Sequence, residues 1–325
     1  MIVAAAVLAL VLAAGEVAAP PDPPRLVARG VTELPGAVPE DRGPDGNTVI
    51  FEAPQGLVVV DTGRHVWKSD QILAFARESR RPIAAIINTH WHLDHTSGNR
   101  RIKAVFPNAP IYATSAIDRA LGPDGFLTRN LANARAHAND PGKSDVEREE
   151  TAGFIATMDA AQSLRPDIVV SRDGRMRIAG KRLDVHVTNG AVTDADIWLY
   201  DRDTHVAVVG DLVTFPAPFF ETACPQRWSE ALDAVWATPF VIAVPGHGLP
   251  MSREEFDAYR QAYNMFIACV RGDAESRVCA TVWADAIATF VPDNTTRDAA
   301  LAYADYYVGF LREHGGKSAA CLADG

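Results

Sequence analysis

Cysteine is scarce in this sequence, and no two cysteines form a C-x-x-C pair. The four that are present, Cys224, Cys269, Cys279 and Cys321, all fall in the last third of the chain. Because a zinc knuckle with thiolate ligands uses closely spaced cysteine pairs, this spacing argues against a metal site of that kind.

Positive charge is also in short supply. The chain has 31 lysine and arginine residues against 41 aspartate and glutamate residues, which gives a formal net charge of -10. An acidic surface repels phosphate backbones, and no basic stripe interleaved with aromatic residues is present. The composition argues against a nucleic-acid partner and leaves a small molecule as the expected ligand.

The sequence has no apolar run long enough for a comfortable membrane span. Residues 2–15 are apolar, but the stretch is short and no lysine or arginine precedes it. We interpret residues 1–19 as a signal peptide and residues 20–44 as a proline-rich segment; a mis-assigned start or a retained weak anchor is the alternative. The mature protein is therefore expected to be secreted or periplasmic in a bacterium, without stable membrane insertion.

An even number of cysteines in an exported chain favours disulfide bonds. Three pairings are possible, and we favour Cys269 with Cys279, which brackets a turn at Gly272-Asp273. This choice leaves Cys224 with Cys321. Four buried free thiols are the alternative, because free cysteine also serves as a small core residue.

The richest feature present is a cluster of metal-binding residue types in residues 88–99. An apolar, strand-like run at residues 83–87 leads directly into His90, His92, Asp94 and His95. Imidazole nitrogens and carboxylate oxygens are ligands that zinc accepts, and iron or manganese can use the same set. The cluster predicts a metal site, against the alternative of a solvated histidine-rich loop.

Two later strand-like runs end in the same manner. Residues 204–209 are followed by Gly210-Asp211, and residues 241–244 are followed by Pro245-Gly246-His247-Gly248. A short strand that stops at a glycine and then offers one polar side chain brings that side chain to a sheet edge. We therefore expect Asp211 and His247 to join the histidine cluster.

The order of these motifs, preceded by Asp61-Thr62-Gly63, resembles the metallo-β-lactamase-fold superfamily of metal-dependent hydrolases over residues 45–250. The resemblance implies an α/β fold, an αββα sandwich of two mixed sheets with helices outside and a metal pair at one sheet edge. Asp61 would support the site without binding metal. The resemblance also implies six metal ligands: His90 and His92 at a first position, Asp94, His95 and His247 at a second, and Asp211 bridging the two.

One element of the family pattern is missing. The family usually has a further histidine in a Gly-His-Thr loop, whereas residues 189–196 here have Ala191 or Val192 at the expected place. His186, in the preceding strand, is the alternative ligand, although its register is unfavourable. We therefore expect one or two zinc ions with unequal occupancy, the first position being the weaker one.

The region after the last motif is predicted to be helical. Ser252 and Glu255 have capping-box spacing, and further helices are expected at about residues 275–290 and 296–314. Residues 251–325 are interpreted as a helical extension packed on the hydrolase domain of residues 45–250.

The resemblance implies hydrolysis. Zinc lowers the pKa of a bound water to about 7, so that hydroxide is available to attack an ester, lactone, thioester or amide carbonyl. Asp94 is the expected catalytic residue, orienting the water and handling its proton. A true β-lactamase and a non-catalytic metal-binding periplasmic protein stay open as alternatives. Five aromatic residues near the motifs line either an apolar mouth or the core: Trp67, Trp91, Phe215, Phe219 and Phe220.

Overall fold

Two mixed β-sheets stack face to face at the centre of the protein, and helices cover both outer faces. A computed structural model describes residues 22–39, 42–291 and 294–315 together with Cys321. This arrangement is the αββα sandwich that the motif order predicts, and its C-terminal helices are present as expected.

The first sheet contains seven strands in sequence order. It is antiparallel from β1 to β4 and parallel from β4 to β7. Its strands are β1 (Arg25–Ala28), β2 (Val31–Leu34), β3 (Thr48–Ala53), β4 (Gly56–Val60), β5 (Ile83–Ile87), β6 (Ile111–Ala113) and β7 (Ile168–Val169).

The second sheet has the order β13-β12-β11-β10-β9-β8, and its parallel pair is β11 with β12. Its strands are β8 (Gly174–Ile178), β9 (Lys181–Asn189), β10 (Ala195–Asp201), β11 (Val206–Gly210), β12 (Ile242–Pro245) and β13 (Met251–Ser252).

The central strands are apolar along their whole length because both of their faces are buried. Every residue of β4 and β11 is buried. Between the sheets, aliphatic and aromatic side chains such as Phe51, Val60, Ile87, Leu199 and Val208 form one cluster. A strand covered on both sides reads as a continuous apolar run, which is the pattern seen in the sequence.

Helices pack on the outer faces of both sheets. Ile72 of α1 and Ile102 of α3 pack on the first sheet, and Trp228 of α7 and Phe256 of α8 pack on the second. The helices are α1 (Val66–Glu78), α2 (Leu93–Thr96), α3 (Asn99–Val105), α4 (Ala116–Ala120), α5 (Phe126–Ala136), α6 (Asp145–Asp159), α7 (Pro225–Trp236), α8 (Arg253–Arg271), α9 (Ser276–Ala286) and α10 (Asn294–Glu313).

The proline-rich segment is more ordered than the sequence predicts. Within residues 20–44, β1 and β2 form a hairpin that pairs with β3 and extends the first sheet. Val31 and Leu34 of this hairpin are fully buried. Their burial explains the pairing, because a strand with an apolar face gains free energy by covering the neighbouring core.

The C-terminal helices and cysteines follow the prediction. Ser252 and Glu255 form the expected capping box at the start of α8. The cysteines pair as favoured, Cys269 with Cys279 and Cys224 with Cys321. The second bond closes a separation of 97 residues and ties the end of the chain to the start of α7.

The predicted signal peptide, residues 1–19, lies outside the described residues. Within the described ranges, the helices are all too short or too polar to cross a bilayer.

Candidate metal centre

The candidate site forms where parallel strands of both sheets end at the same edge. In the first sheet, Asp61 follows β4, and the loop that carries His90 follows the adjacent parallel strand β5. In the second sheet, Asp211 follows β11 and His247 follows shortly after the parallel strand β12. Parallel neighbours deliver the residues beyond their carboxyl ends to one place, so four separate sequence motifs converge.

The six residues predicted as metal ligands come together in two adjoining groups. Within each group, one potential ligand atom per residue lies within 4.8 Å of the others. Asp211 also approaches the second group, because its Oδ1 lies 3.1 Å from Nε2 of His95 while its Oδ2 lies 3.6 Å from Nε2 of His90. The first group is His90, His92 and Asp211, and the second is Asp94, His95 and His247.

Asp61 contacts and orients the ring of His95. Its Oδ2 lies 2.8 Å from Nδ1 of His95 and also accepts a hydrogen bond from the Thr89 hydroxyl at 2.7 Å. An ionised carboxylate can only accept, so Nδ1 of His95 carries a hydrogen, and in the neutral ring the lone pair is on Nε2. That lone pair faces Nε2 of His247 at 3.3 Å, an arrangement that calls for a cation or a proton between the rings.

Thr89 fixes the neighbouring ring in the same way. Its hydroxyl hydrogen is used on Asp61, so its oxygen accepts from Nδ1 of His90 at 2.9 Å. Nε2 of His90 is then left with a free lone pair. In the described structure this atom is buried without a hydrogen-bond partner, and Oδ2 of Asp211 lies 3.6 Å from it. Such an orphaned acceptor is costly unless something fills the space beside it, so the residues fit a bound cation.

Burial sets the protonation of the first group. It lowers the pKa of His92 to about 4 and that of His90 well below its usual range, the latter with help from the charges of His95 and His92. Both rings are therefore neutral at physiological pH. A neutral imidazole is the form that binds a metal ion.

The second group instead collects positive charge. Burial alone would lower the pKa of His95 and of His247, but the carboxylates of Asp211 and Asp94 raise both. Burial likewise opposes ionisation of those two carboxylates, yet the facing histidines, His95 first, bring both pKa values below the usual range. The second group thus holds protons at the point where a divalent cation would supply the same charge.

The predicted aromatic mouth is only partly formed by the expected residues. Phe219 packs edge-on against His92 with 5.4 Å between ring centroids, and it also contacts Phe126, a residue of α5 that the sequence reading missed. Phe215 and Phe220 instead belong to the core behind the second sheet. Trp91 is nearly buried beside Phe126 and Trp67 stacks on His65, so neither forms an open wall.

The missing histidine is not replaced by His186. That ring stacks on Trp198 and approaches the Asp173 carboxylate at 3.0 Å, outside both metal-capable groups. In the loop that lacks the ligand, Asp196 accepts hydrogen bonds from the backbone of Val192 and Thr193. Burial raises the pKa of Asp196 to about 7.

The sequence also gave no sign of the residues that join the two sheets at the site. The amide of Asn47 donates to the carbonyls of Pro245 and Gly248 at 3.0 and 2.8 Å. The backbone N–H of Gly46 donates to the carbonyl of Asp94 at 3.0 Å. Residues 45–47 therefore tie the His95 region to the His247 loop, and no local pattern could have identified such distant contacts.

A histidine-centred ion network lies next to this tie. His65 bridges buried Asp45 through Nδ1 and Glu150 of α6 through Nε2, the latter at 2.9 Å, and Arg42 also pairs with Glu150 at 3.1 Å. Burial opposes protonation of His65, but the hydrogen bond with Asp45 raises its pKa. Burial opposes ionisation of Glu150, yet its hydrogen bond with His65 lowers its pKa.

The Glu150→Gln variant is expected to lose stability in a pH-dependent way. Because the pKa of His65 is raised in the folded protein, His65 stabilises the fold at pH values below its unfolded-state pKa, and this stability is lost as the pH rises through its folded-state pKa. Because the pKa of Glu150 is lowered, its contribution is lost only in acid. The loss should be on the order of 1 kcal/mol near pH 5.5 and smaller near pH 9. Thermal melts at both pH values test this expectation. Glu149→Gln is the control, because the Glu149 carboxylate contacts Arg42 rather than His65. Equal losses for Glu150→Gln at both pH values would contradict the prediction.

Residues 41–247 match the family model described as the metallo-beta-lactamase superfamily. A linear primary-alkylsulfatase from Pseudomonas sp. is 29% identical over 225 residues, which cover 63% of this chain and 42% of that protein. A hydroxyacylglutathione hydrolase from Synechococcus sp. is 42% identical over 52 residues, 16% of this chain and 20% of that protein. The chain spans less than half the length of these relatives.

Solved structures share the fold at low identity. A metallo-beta-lactamase from Pontibacter korlensis has a TM-score of 0.53 at 16% identity, covering 74% of this chain and 98% of that one. A stereoselective inverting sec-alkylsulfatase from Pseudomonas sp. has a TM-score of 0.59 at 17% identity, covering 89% of this chain and 50% of that one.

Proposed function

The chain belongs to the metallo-beta-lactamase superfamily of hydrolases, and we propose that it uses zinc held by the two residue groups to cleave an ester-type bond in a small molecule. The observation that carries this proposal is the convergence of six buried or nearly buried metal-binding side chains in two adjoining groups, in which Nε2 of His90 has no hydrogen-bond partner in the described structure. Zinc bound there would polarise the scissile group and make a water molecule acidic enough to act as a nucleophile at neutral pH.

Asp94 is proposed as the catalytic residue. Its side chain is buried in the second group, with Oδ2 3.0 Å from Nε2 of His247. Burial opposes ionisation of Asp94, but the charges of His95 and His247 lower its pKa and keep it ionised. The carboxylate can therefore accept a hydrogen bond from the attacking water and then its proton. Asp61 and Thr89 act through the rings that they orient.

The surroundings of the site favour a substrate with an apolar group and tolerate a negative charge. Phe219 and Phe126 offer an apolar wall beside His92. Arg64 follows His95 and His247 among the cations that lower the pKa of Asp94 against the effect of burial. Within the described ranges, the buried Nε of Arg64 has no hydrogen-bond partner. A guanidinium whose charge acts on the Asp94 carboxylate is suited to an anionic substituent.

Carboxylic esters, thioesters, lactones and amides form the first substrate class in this proposal. Alkyl sulfate esters form the second, which the likeness to the linear primary-alkylsulfatase supports. The metallo-beta-lactamase structures share only the fold at these identities, so β-lactam cleavage stays an alternative to be tested. The two disulfides support the further proposal that the protein works in an oxidising compartment such as the periplasm.

Metal content and hydrolysis, measured on the same purified protein, test the proposal. The first position has His90, His92 and Asp211, whereas the second has three ligands of its own and is also approached by Asp211. We therefore expect unequal zinc affinities, with the first position the weaker one. The substrate panel would contain neutral and anionic esters, a thioester, a lactone, an alkyl sulfate and nitrocefin. Turnover of an ester-type substrate should disappear on chelation and return with zinc.

Three outcomes would contradict parts of this proposal. Two zinc ions that both resist mild chelation would refute unequal affinity. Nitrocefin turnover as the dominant activity would favour the β-lactamase alternative. A silent panel, combined with a melting temperature that falls on chelation, would identify a metal-stabilised protein without catalysis.

A further inference from the structure

Thr222 occupies a junction between the first metal position and the loop that lacks the family histidine. Its Oγ1 lies 2.9 Å from Nε2 of His92 and donates to the backbone carbonyl of Val192 at 3.0 Å. Thr222 is nearly buried, with 7% of its surface exposed, so water competes poorly for either contact. The loop that lacks the expected ligand therefore anchors Thr222 through the backbone of Val192.

The two contacts determine which nitrogen of His92 is free. A threonine hydroxyl has one hydrogen, and the carbonyl of Val192 can only accept, so that hydrogen is committed to Val192. Oγ1 must then accept from His92, which places the ring hydrogen on Nε2 and the lone pair on Nδ1. Thr89 imposes the opposite tautomer on His90 by the same reasoning.

We propose that Thr222 is a positioning residue for the first metal position, holding His92 in the tautomer and orientation in which Nδ1 can bind the ion. The inference rests on the proposed metal-dependent function. With no histidine in the loop of residues 189–196, this position has three protein groups, His90, His92 and Asp211. Each remaining ligand contributes a larger share of the affinity, so losing the orientation of one ring is expected to be felt directly.

Zinc titration of the full chain tests the inference with three variants. Thr222→Val keeps the shape but removes the hydroxyl, and it should weaken the lower-affinity zinc position by about 10- to 100-fold while leaving the tighter one within about twofold. Thr222→Ser keeps the hydroxyl and should stay close to wild type. Thr238→Val is the matched control, since that hydroxyl donates to the carbonyl of Val235 away from the site and its loss should leave both affinities unchanged.

A second measurement is independent of zinc. Nitrogen NMR of the zinc-free protein should show His92 with its hydrogen on Nε2 in wild type and in Thr222→Ser, and a mixture of tautomers in Thr222→Val. Unchanged weak-position affinity in a folded Thr222→Val protein would overturn the inference. So would an equal loss in Thr222→Ser, or a wild-type protein that binds a single zinc ion. Two bound zinc ions with a silent substrate panel would instead refute the proposed function and leave this inference standing.

Discussion

Replacing Asp94 with alanine is expected to lower kcat for the best ester-type substrate by at least about 100-fold, to the limit of detection. The change removes a buried carboxylate from the second group and, with it, the proposed proton acceptor. His247→Ala should have a similar effect for a different reason, because it removes the imidazole whose Nε2 lies 3.0 Å from Asp94. Steady-state kinetics and zinc analysis of the same samples would separate the two causes.

Asp94→Asn distinguishes charge from shape at this position. Asparagine keeps the size of the side chain and one carbonyl oxygen, but it cannot accept the proton of the attacking water. We expect kcat to fall as far as in Asp94→Ala while more zinc is retained. Asp70→Asn, which removes an exposed carboxylate of α1, is the control and should keep full activity. Substantial turnover by Asp94→Ala or His247→Ala would refute the assignment of the site.

The apolar strands before the motifs predicted that Asp211 and His247 would join the histidine cluster, while the resemblance implied the fold and the set of six ligands. The run before His90 and the runs before Asp211 and His247 become β5, β11 and β12, with bounds within two residues of those expected. Parallel strands that end at the same edge of a sheet bring the side chains that follow them close together. The resemblance supplied the stacking of two mixed sheets with helices outside, which periodicity alone does not contain.

The residues missed by the sequence reading act across long separations and have no local pattern. Thr222 meets His92 across 130 residues, and Asn47 reaches Pro245 across 198. Phe126 reaches the site from the start of α5, a mostly polar helix whose sequence has no feature that points to the metal centre. The β1–β2 hairpin was missed because its strands are only four residues long, too short for an alternating pattern to be recognised, and because β1 directly follows a proline-rich stretch.

Gly46 provides a test of the site that does not alter any proposed ligand. A Cβ atom added at Gly46 would lie 2.3 Å from Cε1 and 2.7 Å from Nδ1 of His95. The His95 ring is fully buried and its Nδ1 is held by Asp61, so it has no free space to move into. Gly46→Ala is therefore expected to push the ring out of the second group. We expect loss of the tighter zinc ion and a fall in kcat/KM of about 100-fold or more, since small displacements of catalytic geometry have effects of that size.

The same substitution on α6 separates this local effect from the general cost of adding a methyl group. Gly153 is exposed and has no atom within 4 Å of an added Cβ, so Gly153→Ala should keep both zinc ions and gain up to about 1 kcal/mol of helix stability. Overpacking at Gly46 should cost about 1–3 kcal/mol, which circular dichroism and melting curves would record. A folded Gly46→Ala protein with the full zinc content and wild-type kinetics would show that His95 is not held in the place described. Loss of zinc from a protein that still melts cooperatively would show that the position of this one ring controls the metal centre.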